Sequence, residues 1–340
     1  MKIKFFAALL ALGAFALPAW AWNYEGHHTV NELALATLPP DFGGFELTPA
    51  LKNRIAFLAG EPDRWRNISD LELKHDNGPD HYFDLEDIDL CGLTPETLPP
   101  LRYDFVADLA RARAAHPEAF PAIDPDADAD HTRELDGFLP WAITEYYEKL
   151  KSDFSVLKAL KAHGRPDEIA NAQADIVYVM GVMGHYVGDG SQPLHTTRHY
   201  NGWVGSNPKG YTTSTKIHGW IDGGYFRKTG GINAGPLLGR MHPAERIFGV
   251  SQPGGMFKQV VAYLVAGNQL VEPLYEMDKN GQLTGEPGKG LDGRPFLEGQ
   301  IVKGAQMLGN IWYTAWAEAP EDTYLEQQLQ QRAADEANGK

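Results

Sequence analysis

The chain is poor in cysteine and in positive charge. Its 340 residues include one cysteine, and 30 lysines and arginines stand against 45 acidic residues, which gives a formal net charge of -15. A single cysteine excludes an intrachain disulfide and leaves no thiolate cluster for zinc or an iron–sulfur centre. A bound metal would therefore need histidine, carboxylate or backbone ligands. The deficit of basic residues also argues against a duplex-DNA-binding protein that neutralises many phosphates with a basic face.

Strand-like alternation is scarce, and no Gly/Ser-rich or Pro-rich linker and no internal repeat divides the chain. Amphipathic helical patterns dominate instead. The sequence therefore predicts an all-α fold with a single multi-helix domain at residues 22–325 and a polar C-terminal tail at residues 326–340. The candidate helices cover residues 30–38, 49–59, 102–115, 139–151, 154–163, 167–187, 216–223, 256–274, 296–317 and 324–337.

The first 21 residues have the pattern of a secretory signal peptide. Two lysines precede an apolar run, and the run ends in Ala19-Trp20-Ala21, which fits a small-x-small cleavage site. Cleavage after Ala21 would leave Trp22 as the new N-terminus and a chain of 319 residues with a net charge of -17. No other apolar stretch approaches membrane-spanning length. We therefore expect a secreted or periplasmic protein whose mature chain has no transmembrane segment.

Three connections are long for a compact helical domain: residues 77–103, 121–138 and 196–215. The last is rich in Gly, Asn, Thr and aromatic residues and is a candidate substrate-facing loop, whereas the first two could equally be surface insertions. Acidic residues alternate at Asp124, Asp126, Asp128 and Asp130, as at the start of a calcium loop. The turn glycine and the closing glutamate of an EF-hand are missing, which favours a solvated acidic loop.

Two His/Asp pairs carry the strongest chemical signal. His185 and Asp189 are four residues apart near the end of a predicted helix, and His218 and Asp222 repeat this spacing. On a helix such a pair lies on one face, where both heads can reach one ion. Pro193 would end the first helix and let His195 return to the same region. Imidazole and carboxylate are the ligands that zinc accepts when thiolate is absent.

Each pair taken alone could instead be a hydrogen-bonded structural histidine or an exposed ion pair. Three further residues strengthen the metal hypothesis. His27 follows five residues after the predicted new N-terminus, Asp63 lies in Gly60-Glu-Pro-Asp63, and His81 lies in Pro79-Asp-His81-Tyr-Phe-Asp84.

The ordered set from Trp22 to Asp222 resembles the superfamily of zinc-dependent bacterial phospholipases C and single-strand-specific nucleases. This resemblance implies an all-helical fold with three zinc ions in a cleft and a mature N-terminal Trp whose amine and carbonyl bind metal. It assigns the ligands as follows: Asp63, His81, His185 and Asp189 on one zinc; Trp22, His27 and the bridging Asp189 on its close partner; His195, His218 and Asp222 on the third.

The same resemblance implies the roles of further residues. Paired zinc ions would lower the pKa of a bridging water for in-line attack on a phosphodiester. Asp63 and Asp189 would be catalytic, with Asp63 orienting or deprotonating that water. Arg66 resembles the phosphate-contacting arginine of the family, and its alternative is an exposed cation at a helix end. Tyr82 and Asp84 could stack on and hydrogen-bond a nucleobase, and otherwise are a core aromatic and a surface acid.

We therefore expect an exported zinc-dependent phosphodiesterase, a hydrolase acting on single-stranded DNA or RNA. Asp rather than Glu at position 222 and the closeness of Trp22 to His27 favour the nuclease branch. A phospholipase C acting on phospholipid is the alternative within the enzyme class. A non-catalytic envelope protein that sequesters metal or haem is the alternative outside it. Nothing in the sequence implies a stable protein partner.

Overall fold

The computed structural model describes Trp22 and residues 24–338. The predicted signal peptide at residues 1–21 lies outside the described residues and stays a prediction. Helices account for the secondary structure of the described part, which carries no strand beyond an isolated bridge between Phe83 and Gly137. The predicted all-α fold in a single helical body is therefore confirmed. None of the described helices is long and apolar enough to cross a membrane.

Fourteen α-helices can be numbered along the described residues. They are α1 Tyr24–Leu35, α2 Pro49–Leu58, α3 Glu61–Asn67, α4 Leu71–Asn77, α5 Arg102–Ala115, α6 Leu139–His163, α7 Pro166–Ser191, α8 Ile217–Gly219, α9 Tyr225–Lys228, α10 Ala234–Leu238, α11 Gly255–Asn268, α12 Val271–Lys279, α13 Arg294–Glu318 and α14 Thr323–Ala337. A π-helical turn, Trp220–Gly224, joins α8 to α9.

Several helix boundaries differ from the prediction. The predicted helices at 139–151 and 154–163 form one helix, α6, because the residues between them include neither proline nor glycine and α6 packs against α7. The predicted helix at 256–274 is two helices, α11 and α12, which meet at Gln269 and Leu270. The predicted helix at 324–337 is α14, which packs on α6 through the buried Leu329, while the predicted domain end at residue 325 stays a prediction.

Helix α7 is the centre of the fold and contacts α1, α2, α6, α11 and α13. Every residue of its last three turns, from Met180 to Ser191, is buried. Gly181, Gly184 and Gly188 lie on one face of α7 and let α1 and α2 approach its backbone. A Cβ would lie 2.4 Å from Leu58 if added to Gly181, and 1.7 Å from Asn31 Oδ1 if added to Gly184. Glycine weakens a helix, so this close packing explains why α7 carries it.

Three loops meet at the C-terminal end of α7. The Phe83 amide donates to the His195 carbonyl at 2.9 Å, and the Asp84 amide donates to the Asp136 carbonyl at 2.7 Å. The first long connection thus pairs on one side with the chain that follows α7. On its other side it pairs with the end of the 121–138 connection. These pairings place candidate ligands from distant parts of the sequence around one helix end.

Candidate metal centre

The C-terminal end of α7 presents two candidate ligands from consecutive turns. His185 and Asp189 are wholly buried, and His185 Nε2 lies 3.4 Å from Asp189 Oδ2. The other ring nitrogen, Nδ1, is 2.7 Å from the Ala59 carbonyl, which accepts its proton. This hydrogen bond fixes the tautomer and leaves Nε2 as a lone pair facing Asp189. The helix spacing and the loop carbonyl together aim the imidazole.

Asp189 is the point at which the other candidates converge. Its Oδ1 lies 3.3 Å from His27 Nε2 on α1, and its Oδ2 lies 3.0 Å from His81 Nδ1 at the end of a short 3-10 turn. His195 approaches the same carboxylate at 3.8 Å. Because each oxygen of this buried carboxylate faces a different imidazole, Asp189 could be a ligand shared between two ions.

Three buried groups of side chains are spaced so that each could hold a metal ion, with their ligand atoms within 4.8 Å of one another. The members are His27, Asp63 and His185; His81, His185 and Asp189; and His195, His218 and Asp222. The third group has its own local geometry. His218 Nε2 lies 2.9 Å from Asp222 Oδ2 across the π-helical turn, and Gln192 Nε2 donates to Asp222 Oδ1 at 2.6 Å.

The ligand atoms of these groups have the chemistry of a metal site. Buried polar atoms that make no hydrogen bond include His27 Nε2, His81 Nε2 and Asp189 Oδ1. Such atoms are rare in folded proteins because leaving them unpaired costs about 1–3 kcal/mol each. Several of them meet in one place, which fits a cluster of bound cations.

Two ring nitrogens from different loops also face each other. His195 Nε2 and His218 Nε2 are 3.0 Å apart, and His195 Nδ1 donates to the His81 carbonyl at 2.6 Å. That donor assignment leaves His195 Nε2 as a lone pair. A cation between His195 and His218 would satisfy both nitrogens.

Two carboxylates of the site, Asp189 and Asp63, have lowered pKa values and are held in the ionised form that a metal needs. Burial opposes the charge on Asp189, but His195 and His185 outweigh it and hold the pKa of this carboxyl well below its usual range. Burial likewise opposes the charge on Asp63, whereas Arg66 and His185 lower its pKa. Arg66 Nε lies 2.9 Å from Asp63 Oδ1.

Burial disfavours the charged form of most of these imidazoles. Burial lowers the pKa of His27 and His195, and it lowers the pKa of His81 to about 3. His185 is different: burial disfavours its charge, but Asp189 and the second carboxylate, Asp63, raise its pKa. The region between these carboxylates therefore favours a positive charge, which a metal ion would provide in place of a proton.

Trp22 lies beside this cluster. Its indole is wholly buried, and Nε1 donates to the Gly188 carbonyl at 3.1 Å, one residue before Asp189. The predicted ligation by a free Trp22 amine depends on cleavage after Ala21, which lies outside the described residues. That part of the ligand set stays a prediction.

A cleft of about 550 Å³ leads to the third group, and His195 and His218 form part of its lining. The three predicted substrate contacts, Arg66, Tyr82 and Asp84, line it as well. Asp84 is not a surface acid: burial raises its pKa well above the usual range, and its Oδ1 has no hydrogen-bond partner. A neutral carboxyl there could both donate and accept a hydrogen bond.

Other residues of the cleft could not be identified from the sequence. Tyr200 packs edge-on against His218 with ring centroids 5.8 Å apart, and Arg133 Nη1 donates to the Tyr200 hydroxyl at 3.3 Å. Gln192, which holds Asp222, lies within the same run as His185 and His195 and could have been noticed there. A second hollow of about 970 Å³ between α6 and the start of α11 contains none of the candidate ligands.

The structure thus brings together all eight predicted His and Asp ligands, and it also divides them into groups. It associates Asp63 with His27, whereas the resemblance places Asp63 with His81; His185 belongs to both groups. Comparisons of the chain with family models, with curated proteins and with solved structures found no match.

Proposed function

We propose that the chain is an exported, zinc-dependent phosphodiesterase that cleaves single-stranded nucleic acid. The observation that carries this proposal is the convergence of three buried His/Asp groups around Asp189, beside a cleft lined by two arginines and two tyrosines. Zinc suits these ligands because they are imidazoles and carboxylates without thiolate. The proposed ion number is three, and His185 Nε2 would bind only one of the two ions near it.

When bound, zinc ions supply Lewis acidity that makes water nucleophilic near neutral pH and positive charge that neutralises phosphate. The chain's own residues do the remaining work. Asp63, held ionised by Arg66, can orient the attacking water and accept its proton at a carboxylate oxygen. Arg66 also lines the cleft, where its guanidinium can bind a phosphoryl oxygen.

The cleft supports a nucleic acid rather than a lipid substrate. Tyr82 and Tyr200 both line it, and an aromatic face can stack on any base. Asp84 lies in the same wall, and its carboxyl group, whose pKa is raised by burial, can hydrogen-bond to a base edge. A fatty-acyl chain would instead require an apolar lining, whereas this cleft also contains Lys74, Arg133 and Asp130.

The direct test is a parallel assay of the mature chain on single-stranded DNA, RNA and phosphatidylcholine, together with zinc analysis. We expect cleavage of nucleic acid, loss of activity with a chelator, and recovery with added zinc. His81→Ala should lose activity, whereas His116→Ala, at an exposed histidine, should keep it. Cleavage of lipid alone would refute the choice of substrate, and zinc below about two per chain would refute the paired-ion site.

A second test addresses the N-terminus. A chain that keeps one extra residue before Trp22 has no free amine at that position, so we expect it to bind less zinc and to lose activity. Equal zinc content and activity in both chains would show that the amine is not a ligand. Activation by signal-peptide removal would then be excluded.

A further inference from the structure

The segment 121–138 forms part of the wall of the cleft rather than a detached surface loop. Its residues in the cleft lining are Asp126, Ala129, Asp130, Thr132, Arg133 and Leu135. The end of the segment pairs with the chain around Tyr82, since the Leu139 amide donates to the Tyr82 carbonyl at 3.1 Å. The segment therefore has a fixed relation to the metal groups.

Internal hydrogen bonds position Arg133 within this segment. The buried Asp128 accepts the Arg133 amide at 3.0 Å through Oδ1, and His75 on α4 contacts the Asp130 carbonyl at 2.7 Å. His131 has a φ of +53°, a conformation that costs a non-glycine residue about 1 kcal/mol or more. The carboxylate of Asp128 thus acts as a brace for the backbone rather than as part of a solvated acidic loop.

The Arg133 side chain lies next to the third metal group. Its hydrogen bond to the Tyr200 hydroxyl connects it to His218, on which the Tyr200 ring packs. The negative potential of the Tyr200 oxygen, and to a smaller extent that of Tyr82, raises the pKa of Arg133. Arg66, the proposed contact for the scissile phosphate, is paired instead with Asp63 in the first metal group. The two arginines are therefore associated with different ends of the metal cluster.

We propose that Arg133 forms a subsite for a second backbone phosphate, that of the nucleotide next to the scissile bond. This inference rests on the proposed function and specifies its substrate as an oligonucleotide. A guanidinium suits the role because its fork of donors matches a phosphate, and Tyr82 and Tyr200 beside it can stack on the intervening base.

The charge pattern of the wall favours such a discrete contact. Asp126 and Asp130 lie in the same lining as Arg133, so the wall is not a continuous basic surface. Among the lining residues of segment 121–138, Arg133 is the one cation and is flanked by carboxylates, so it would contact a phosphate at one position along the strand. A lipid with one phosphate and a cationic choline would gain nothing from Arg133, because that phosphate is already bound at the metal groups.

The experiment compares a thymidine dinucleotide, which has only the scissile phosphate, with a trinucleotide, which has two. For each chain we measure the ratio of kcat/KM for the trinucleotide to that for the dinucleotide. Arg133→Ala should lower this ratio about five- to tenfold, since an exposed charge-assisted contact is lost. Arg133→Lys should recover part of it. Arg111→Ala, which removes a surface arginine of α5, should leave the ratio unchanged.

The salt dependence gives an independent readout. Removing one contact to a single-stranded phosphate should reduce the slope of log KM against log salt by about 0.7 for a longer oligonucleotide. An unchanged ratio, or equal losses on both substrates, would overturn the subsite in a variant whose melting temperature matches the parent. Failure of the parent chain to cleave either oligonucleotide would instead overturn the proposed function.

Discussion

Asp189→Asn tests the metal cluster at its centre. The Asp189 carboxylate is wholly buried, and four imidazoles lie within 4 Å of its oxygens: His27 at 3.3 Å, His81 at 3.0 Å, His185 at 3.4 Å and His195 at 3.8 Å. Asparagine has nearly the same shape, so the substitution removes the charge and leaves the packing. We expect metal binding and stability to fall together.

The magnitude follows from linkage between metal binding and folding. Asp189 is itself a candidate ligand in the group with His81 and His185, and it contacts His27 of a second group. The substitution should therefore weaken metal binding at two sites. A 100-fold weaker affinity lowers the stability that a saturating metal contributes by about 2.7 kcal/mol per site. Two sites give about 5 kcal/mol, which corresponds to a fall in Tm of about 10 °C for a chain of this length.

The assay combines zinc analysis after dialysis with thermal melts in the presence and absence of EDTA. The parent chain should lose Tm on chelation, whereas Asp189→Asn should start at a lower Tm and respond little. Asp278→Asn, at a half-buried carboxylate on α12, is the matched control and should keep the zinc content of the parent and its loss of Tm on chelation. If Asp189→Asn retains full zinc and the full response to EDTA, the shared-ligand model is wrong.

Two further predictions concern the scaffold. Gly184→Ala would place a carbon 1.7 Å from Asn31 Oδ1 and should destabilise the chain by about 3 kcal/mol or more in urea melts. Gly299→Ala, whose nearest neighbour lies at 3.5 Å, should stabilise it by up to about 1 kcal/mol; stabilisation by both would contradict the close helix contact. Burial raises the pKa of Asp136 to about 7. The folded chain therefore keeps a proton that the unfolded chain loses near pH 4, and the free energy of unfolding falls as the pH rises from about 4 to about 7. Asp136→Asn should therefore match the parent at pH 4 and exceed its unfolding free energy by about 2–4 kcal/mol at pH 8, whereas parallel pH profiles would refute this.

The part of the site that the sequence predicts is the part set by local geometry. His185 and Asp189 are one turn apart on α7, and their four-residue spacing alone places both on one face. The same spacing finds His218 and Asp222, even though the turn between them is π-helical and not α-helical. Local spacing does not say that both pairs lie near one cleft.

Residues that reach the site through long-range contacts could not be found in this way. His27 and His81 have no local spacing that links them to the His/Asp pairs, and only the resemblance assigns each of them to a particular ion. Neither the spacing nor the resemblance indicated Arg133 or Tyr200, because their roles depend on how the 121–138 and 196–215 connections fold over α7. Helices α3 and α4 were missed because seven residues are too few for a clear hydrophobic period.

The shortage of cysteine and the buried carboxylates are connected by the architecture of the site. Asp63, Asp189 and Asp222 come from α3, α7 and the π-helical turn, so cations bound among them would link segments that no disulfide joins. Buried polar atoms of the site that make no hydrogen bond, such as His81 Nε2 and Asp189 Oδ1, cost free energy that coordination to a cation would recover. In an acidic chain, the same ions would concentrate positive charge beside the cleft, which lets a protein with a net charge of -15 attract a phosphodiester.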